Sequence, residues 1–285
     1  MTDGTRDGFA TGDAKKRSAG WFIIAGGGVL GILAIAAVAA PLISPYDPET
    51  IDTLQVMGAP GLAHPFGSDV LGRDVLARVI YGLRASLLVS FSAVTAAFLL
   101  AVPLGLIAGY FGRWADSAIS RTLDMILVLP AMLLAITFIA ILGPGSKVAA
   151  LAIAVIYLPI LARVMRTSAL VVTRNDFVAG ARARGASHLR VQISHVAPNA
   201  LAPVVVQASV LSAFALQLEA GLSFLGLGTQ PPTPSLGGML ADGRDVLGQA
   251  PWVEIYPGLA IVAAVIGFSL LGEGLRRAFD PEGEA

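Results

Sequence analysis

T-R-N-D-F-V-A-G-A-R-A-R-G-A-S-H-L-R-V-Q-I-S-H-V-A-P-N-A-L-A-P, residues 173–203, is the longest polar and basic insertion between two apolar runs of this chain. Asn175 or Asp176 is suited to cap a short helix over Phe177–Arg184, because a side-chain oxygen there accepts from the free N–H groups of the first turn. Gly185 is placed to end that helix, since glycine takes the left-handed C′ conformation without a Cβ penalty. Ser187 would cap a second helix, and Pro198 falls where that helix would stop. Helix, glycine turn, helix beside a membrane is the expected form. Ala179, Gly180, Ala181 and Ala183 give the first helix small side chains that let a partner approach closely. Arg182 and Arg184 make the same stretch basic.

The composition places this insertion in a membrane protein. Of 285 residues, 55% are hydrophobic and only 13% charged, with a mean hydropathy of +0.76. Soluble domains carry about 25% charge. Six nearly uncharged runs recur: Trp21–Ile43, Ala85–Tyr110, Met125–Leu142, Val148–Ala162, Ala200–Leu218 and Ile255–Leu271. A helix needs about 20 residues to cross a bilayer; the fourth and sixth runs are short by that measure, with Arg163 and Glu273 able to snorkel at their ends. Pro103, Pro130 and Pro159 lie inside spans, where neighbouring helices can re-satisfy the backbone. Lys15, Lys16 and Arg17 before the first run resemble a signal-peptide n-region, but the run is too long for an h-region and reads as a retained span. The fold expected is all-α, with six transmembrane helices.

Charge sets the orientation. With the N-terminus inside, only Arg73, Arg78, Arg84, Lys147 and Arg244 of the nineteen Lys and Arg fall outside, as the positive-inside rule favours. Both ends and the 173–203 insertion are then cytoplasmic. The expected layout is a tail over 1–20, a first span over 21–43, an extracytoplasmic segment over 44–84, a core over 85–275 and a cytoplasmic tail over 276–285. Within the core, 167–199 is the inner loop and 226–254 the outer one. In the outer segment Val70, Leu71, Val75, Leu76, Val79 and Ile80 recur near helical spacing, with Asp69, Arg73, Asp74 and Arg78 between them, which predicts an amphipathic helix on the membrane surface. Met239, Leu240, Val246, Leu247 and Trp252 would lay the outer loop back against the bundle.

Several chemistries are excluded. There are no cysteines for disulfides or thiolate sites, and the three histidines, at 64, 188 and 195, are too scattered for a metal centre. A formal net charge of zero gives nucleic-acid binding no electrostatic support. No G-x-x-x-x-G-K-[ST] loop occurs, so the chain does not hydrolyse ATP by that route.

The insertion resembles the "EAA" cytoplasmic loop of permease subunits in bacterial ABC importers. Gly180 and Ala181 fall on the two alanines of that pattern, Gly185 on its glycine and Pro198 on its closing proline. Ala179 stands at the Glu position and Ala197 at the Leu position, and the shape of the turn depends on neither. H-P-F-G-S-D at 64–69, G-R-D-V-L-A-R at 72–78, G-L-S-F-L-G-L-G-T-Q-P-P-T-P-S at 221–235 and L-L-G-E-G-L-R-R-A-F-D-P at 270–281 are similar to the peptide/nickel subfamily, and most to the C-type subunit of dipeptide and oligopeptide importers. The resemblance covers residues 21–281. It implies a type I ABC importer fold and half of a pore shared with a B-type permease subunit. It implies two ATP-binding subunits that carry ATP and Mg, an extracytoplasmic solute-binding protein, and no cofactor in this chain. It implies a coupling loop of Asp176, Phe177, Ala179, Gly180, Ala181, Arg182, Arg184, Gly185, Ala186, Pro198 and Asn199. The cargo implied is a dipeptide or short oligopeptide; nickel, glutathione or another small solute would suit the same architecture. A stand-alone channel or ion-coupled carrier is the rival class, and span centres almost free of charge argue against ion coupling.

Single residues carry further readings. Glu219, near the outer end of the fifth span, either faces the pore or bonds a neighbouring helix, since a buried carboxylate needs a partner. Gln207 and Gln217 read as pore-lining acceptors or as interhelical contacts. Asp124 reads as an i,i+3 partner of Arg121, and Glu273 as a partner of Arg276 and Arg277. Trp21, Phe111, Trp114, Trp252 and Tyr256 near span ends suit an aromatic belt.

Overall fold

Apolar side chains at nearly every position of a run leave a helix no polar face, so such helices pair by close backbone approach and turn their remaining surface to lipid. The computed structural model, which describes residues 6–279 with side chains from 19 onward, has that form. In chain order the elements are α1 (Arg6–Val38), α2 (Ala40–Ile43), α3 (Val75–Phe111), α4 (Arg113–Leu127), α5 (Ala131–Leu142), α6 (Ser146–Thr173), α7 (Asp176–Ala183), α8 (His188–Val191), a π-helical turn (Gln192–Val196), α9 (Ala197–Phe224), α10 (Leu236–Arg244) and α11 (Trp252–Ala278). The expected N-terminal tail is helical from Arg6; the side chains of Lys15, Lys16 and Arg17, and residues 280–281 of the last motif, lie outside the described residues.

The core joins α3, α6 and α9. Helix α6 is the most enclosed span, with 56% of its most apolar window buried against 11% for α1. Gly105 and Gly109 make the α3–α6 contact close: a Cβ on Gly109 would stand 2.6 Å from the Arg166 carbonyl oxygen, and one on Gly105 2.7 Å from Met165 Cβ. Helix α1 lies along α11 by the same device, with Gly274 against the Ile23 backbone. Leu88, Leu99 and Ile141 on the outer faces are more than half exposed, as lipid-facing side chains require.

Among the described residues, five helices are long and apolar enough to cross a membrane: Ala19–Val38, Val75–Phe111, Ser146–Thr173, His188–Phe224 and Trp252–Ala278. The third expected span is instead broken: α4 and α5 meet at 88° and make a sixth span only if taken together. Pro130 explains the break. It lacks an N–H and disfavours helical backbone at Leu129, and its own ψ of 132° lies outside the helix. Helix α5 alone, at 12 residues, is about 18 Å long, short of a hydrocarbon core of about 30 Å. The fourth and sixth spans are longer than their apolar runs, at 28 and 27 residues, because charged ends such as Arg163 and Arg276 stay helical.

The surface helix expected in the 44–84 segment is absent as a separate element. Residues 70–74 are not helical, and Val75 begins α3 itself, capped by Asp74 Oδ1 accepting from the Ala77 N–H at 2.7 Å. The alternating charges Asp69, Arg73 and Arg78 are buried among one another. Residues 44–74 form a cap seated on α11: Trp252 Nε1 donates to the Ser68 carbonyl at 3.0 Å, and Phe66 stacks on Tyr256 at 3.9 Å. Those two aromatics therefore hold the cap rather than a lipid belt, whereas Trp21 and Trp114 are exposed. The 226–254 loop contains α10, whose Met239 is buried; Leu247, beyond its end, is exposed.

Candidate functional site

The cap and the 173–203 loop sit at opposite ends of α3, whose 37 residues span about 55 Å. At the loop end α7 covers Asp176–Ala183, the expected helix to within a residue at each terminus. Asn175 occupies the N-cap without a side-chain bond, and Asp176 lies in the first turn, where its charge suits the helix dipole. Gly185 follows with φ +80°. The Gly185 N–H donates to Arg182 O at 2.9 Å and the Ala186 N–H to Ala181 O at 3.2 Å, the paired bonds of a Schellman turn. Ser187 Oγ accepts from the Arg190 N–H at 3.4 Å and caps α8.

Pro198 does not stop the second helix. The Ala197 N–H donates to Gln192 O, five residues back, and this wide turn leads into α9, with Pro198 in the first turn, where its missing N–H costs little. Asn199 Nδ2 donates to the His195 carbonyl at 2.7 Å. The span beginning at His188 therefore runs on through the π turn to Phe224 rather than ending there.

Helix α7 has two faces. Val178 and Ala181 are buried against the bundle. Phe177, Ala179, Arg182 and Arg184 are exposed, Gly180 and Ala186 half-buried. A side chain added at Gly180 would first meet the Arg184 side chain at 3.5 Å, and one at Gly185 would meet nothing within 4 Å. Leu189 and Ile193 extend this exposed apolar surface. Tyr110, the penultimate residue of α3, ties the loop down: its hydroxyl is 2.9 Å from His188 Nδ1, and the Arg182 guanidinium lies over its ring at 4.7 Å. Sequence reasoning weighed His188 only as a metal ligand and missed Tyr110, 78 residues away; no local signal links them.

The other candidate residues do not join this surface. Glu219 is sealed, 0% exposed. Ser223 Oγ donates to its Oε1 at 2.8 Å, and the Thr229 N–H donates to Ser223 Oγ at 3.3 Å. Oε2 and the buried Ser86 hydroxyl of α3 close no bond. Gln217 is exposed and Gln207 half-buried on α9. Asp124 pairs with Arg163 of α6 at 2.6 Å, not with Arg121, because α4 packs against α6. Glu273 pairs with Arg276 and Arg277, at 2.9 and 2.7 Å.

The cap end holds a second charged group. Asp69 Oδ2 accepts from Arg73 Nε at 2.7 Å and faces Arg78 Nε at 3.2 Å. Asp242 of α10 is farther from both guanidinium groups, at 3.5 and 3.6 Å. Its carboxyl is held above the ordinary aspartate value: partial burial raises it, Arg78 and Arg73 pull it down, and Asp69 raises it again. His64 Nδ1 lies 2.8 Å from Asp74 Oδ2.

A helical bundle with a broken span, a glycine-turned basic hairpin at one end and a folded cap at the other defines a membrane permease with the type I ABC importer fold. Solved structures of the MetNI methionine ABC transporter in inward-facing conformations and of an amino acid ABC transporter with histidines share this fold. Their TM-scores are 0.56 and 0.55, at 19% and 18% identity, each covering 70% of this chain and 95% and 94% of theirs. The chain belongs to the family of binding-protein-dependent transport system inner membrane components, which it matches over residues 101–282. It is 42% identical over 248 residues to a dipeptide transport system permease protein of Alkalihalophilus pseudofirmus, covering 87% of this chain and 82% of that one. It is 40% identical over 264 residues to a di/tripeptide transport system permease protein of Pseudomonas aeruginosa, covering 90% and 87%. It is thus a multi-pass, inner-membrane permease component of an ABC importer.

Proposed function

We propose that this chain forms half of the translocation path of an ATP-driven importer of dipeptides or short oligopeptides, with α7 as the element through which the motor acts. The loop end faces the cytoplasm, as do both termini, and the cap end receives a solute-binding protein. A B-type permease supplies the other half of the path. Two ATP-binding subunits carry ATP and Mg, and this chain adds no catalytic group. The peptide cargo rests on what the relatives in Alkalihalophilus and Pseudomonas are named for.

The observation that carries the reading is the division of α7 into two faces. Val178 and Ala181 fasten one face to the bundle, while Phe177, Gly180 and Arg184 leave the other open. A helix fastened in this way moves with the spans when a partner pulls it, and Tyr110 extends the connection to α3. Closing of the docked motor around ATP would tilt α3 and α9 as stiff levers and exchange access between the two ends.

Gly180→Leu tests this directly, because the added Cβ meets within the chain only the end of the flexible Arg184 side chain, at an ordinary contact distance of 3.5 Å, so the added bulk acts chiefly against a docked partner. The variant is expected to insert and pair normally yet lose most of its ATP-binding subunits on co-purification. Wild-type retention together with wild-type peptide uptake in proteoliposomes would refute the docking assignment.

A further inference from the structure

We propose that the cleft between the cap and α10 is a carboxylate-binding site, in which Arg73 and Arg78 receive the carboxylate of the transported solute and Asp242 occupies its place in the empty cleft. The cleft measures about 310 Å³ and is lined by both arginines and Asp242, with Thr229 as a hydroxyl donor and Phe224 as an apolar wall. Its size is at the small end of the range for small-molecule sites, roughly 300–1,000 Å³, and suits a solute of a few residues.

The charges are unequally paired. Arg73 and Arg78 are 9% and 5% exposed, and burying two guanidinium groups requires close anionic partners. Asp69 is the close one, and a single oxygen, Oδ2, serves both Nε atoms. Arg78 Nη1 donates to the Pro48 carbonyl at 3.4 Å, and the Nη2 groups of both arginines converge on one point, occupied by Asp242 Oδ2 at 3.5 and 3.6 Å. Charge-assisted bonds form at roughly 2.7–2.9 Å, so Asp242 marks the position of an anion without filling it well. Its side chain is 42% exposed, against 2% for Asp69. A solute carboxylate entering from the cap end would approach both donors more closely and release Asp242 to solvent. Because Asp242 lies on α10 and both arginines on the cap and the first turns of α3, the exchange would also loosen α10 from the cap. Entry from the cap end rests on the importer reading; the carboxylate chemistry does not depend on the cargo being a peptide.

The experiment uses the complete detergent-purified transporter without its delivery protein and three probes: Ala-Phe, its C-terminal amide, and N-acetylphenylalanine. Binding is followed by calorimetry. Both carboxylates are expected to bind, with the amide at least tenfold weaker. Arg78→Gln should weaken both carboxylates at least tenfold and leave the amide unchanged. Asp242→Asn keeps the shape of the side chain but removes the internal competitor, so it should tighten both carboxylates severalfold; this variant stands if Arg78→Gln fails to assemble. The proposal is overturned if acid and amide bind alike, if neither carboxylate binds at millimolar concentration, or if Asp242→Asn leaves their affinity unchanged or lower. Should N-acetylphenylalanine follow the expected pattern while wild-type proteoliposomes take up no peptide, the site stands and the peptide reading falls. Peptide uptake with no discrimination between acid and amide gives the reverse.

Discussion

Replacing Gly185 by valine separates the shape of the loop from its contacts. Gly185 sits at φ +80° with no atom within 4 Å of the position a Cβ would take, so the effect of a side chain there is chiefly conformational. A left-handed conformation costs an L-residue roughly 1–2 kcal/mol, more for a β-branched one. If the turn relaxes to avoid that cost, it gives up the bonds from the Gly185 and Ala186 N–H groups to Arg182 and Ala181, each contributing about 0.5–1.5 kcal/mol. The native turn therefore loses about 2 kcal/mol relative to its alternatives, roughly a thirtyfold fall in its population. Since the turn sets the direction of α7, co-purified ATP-binding subunits and ATP-driven uptake should both fall by about an order of magnitude or more. Gly226→Val is the control for ATPase retention: Gly226 has φ +75°, equally open surroundings and the same pair of turn bonds, from the Gly226 and Leu227 N–H groups to Ser223 and Leu222, but it ends α9 at the cap end. Both variants should insert. Wild-type ATPase retention and uptake in Gly185→Val would refute the claim that this turn positions the coupling element, and equal losses in the two variants would show general destabilisation instead.

Three other expectations follow from the packing. Tyr110→Phe removes the contact with His188 but keeps the ring under Arg182, whereas Tyr110→Ala removes both; uptake per ATP hydrolysed should fall slightly in the first and severalfold in the second, and equal ratios in both would exclude Tyr110 as a link. Glu219→Gln keeps an acceptor for Ser223 and should transport nearly normally, while Glu219→Ala leaves buried hydroxyls facing a void and should cost about 1–3 kcal/mol, read as a lower melting temperature; abolished uptake in a normally assembled Glu219→Gln would make Glu219 a transport residue instead of an anchor. Ser187→Cys and Gln249→Cys should label from opposite sides of intact cells, since both positions are exposed and lie at the loop end and the cap end; labelling of both from one side would overturn the assigned orientation.

Much of the loop was legible in the residues. Gly185 ends α7 because a Schellman turn has one position that only glycine fills without strain, and such local geometry is written in a few neighbouring residues. The apolar runs likewise announce helices, because a chain in lipid must satisfy its backbone internally. Glu219 shows where reading stops: its cost of burial was evident, but whether it faced a pore or the packed interior beside α3 depends on how α9 is rotated against α3 and α10; its partner Ser223 is on the same helix, one turn on.

What the sequence determined by itself is therefore short in range: an all-helical membrane chain, a basic glycine-turned loop, and residue patterns shared with importer permeases. Only the tertiary structure decided the rest. It broke the third span at Pro130, merged the surface helix into α3, sent Asp124 to Arg163 and placed Tyr110 under Arg182. It also gathered Asp69, Arg73, Arg78 and Asp242, 173 positions apart at the extremes, around one cleft. Periodicity reports which residues are apolar along one helix; which buried charge meets which is settled by how several helices cross, and that depends on backbone approach at residues such as Gly105 and Gly109, whose single hydrogens carry no pattern of their own.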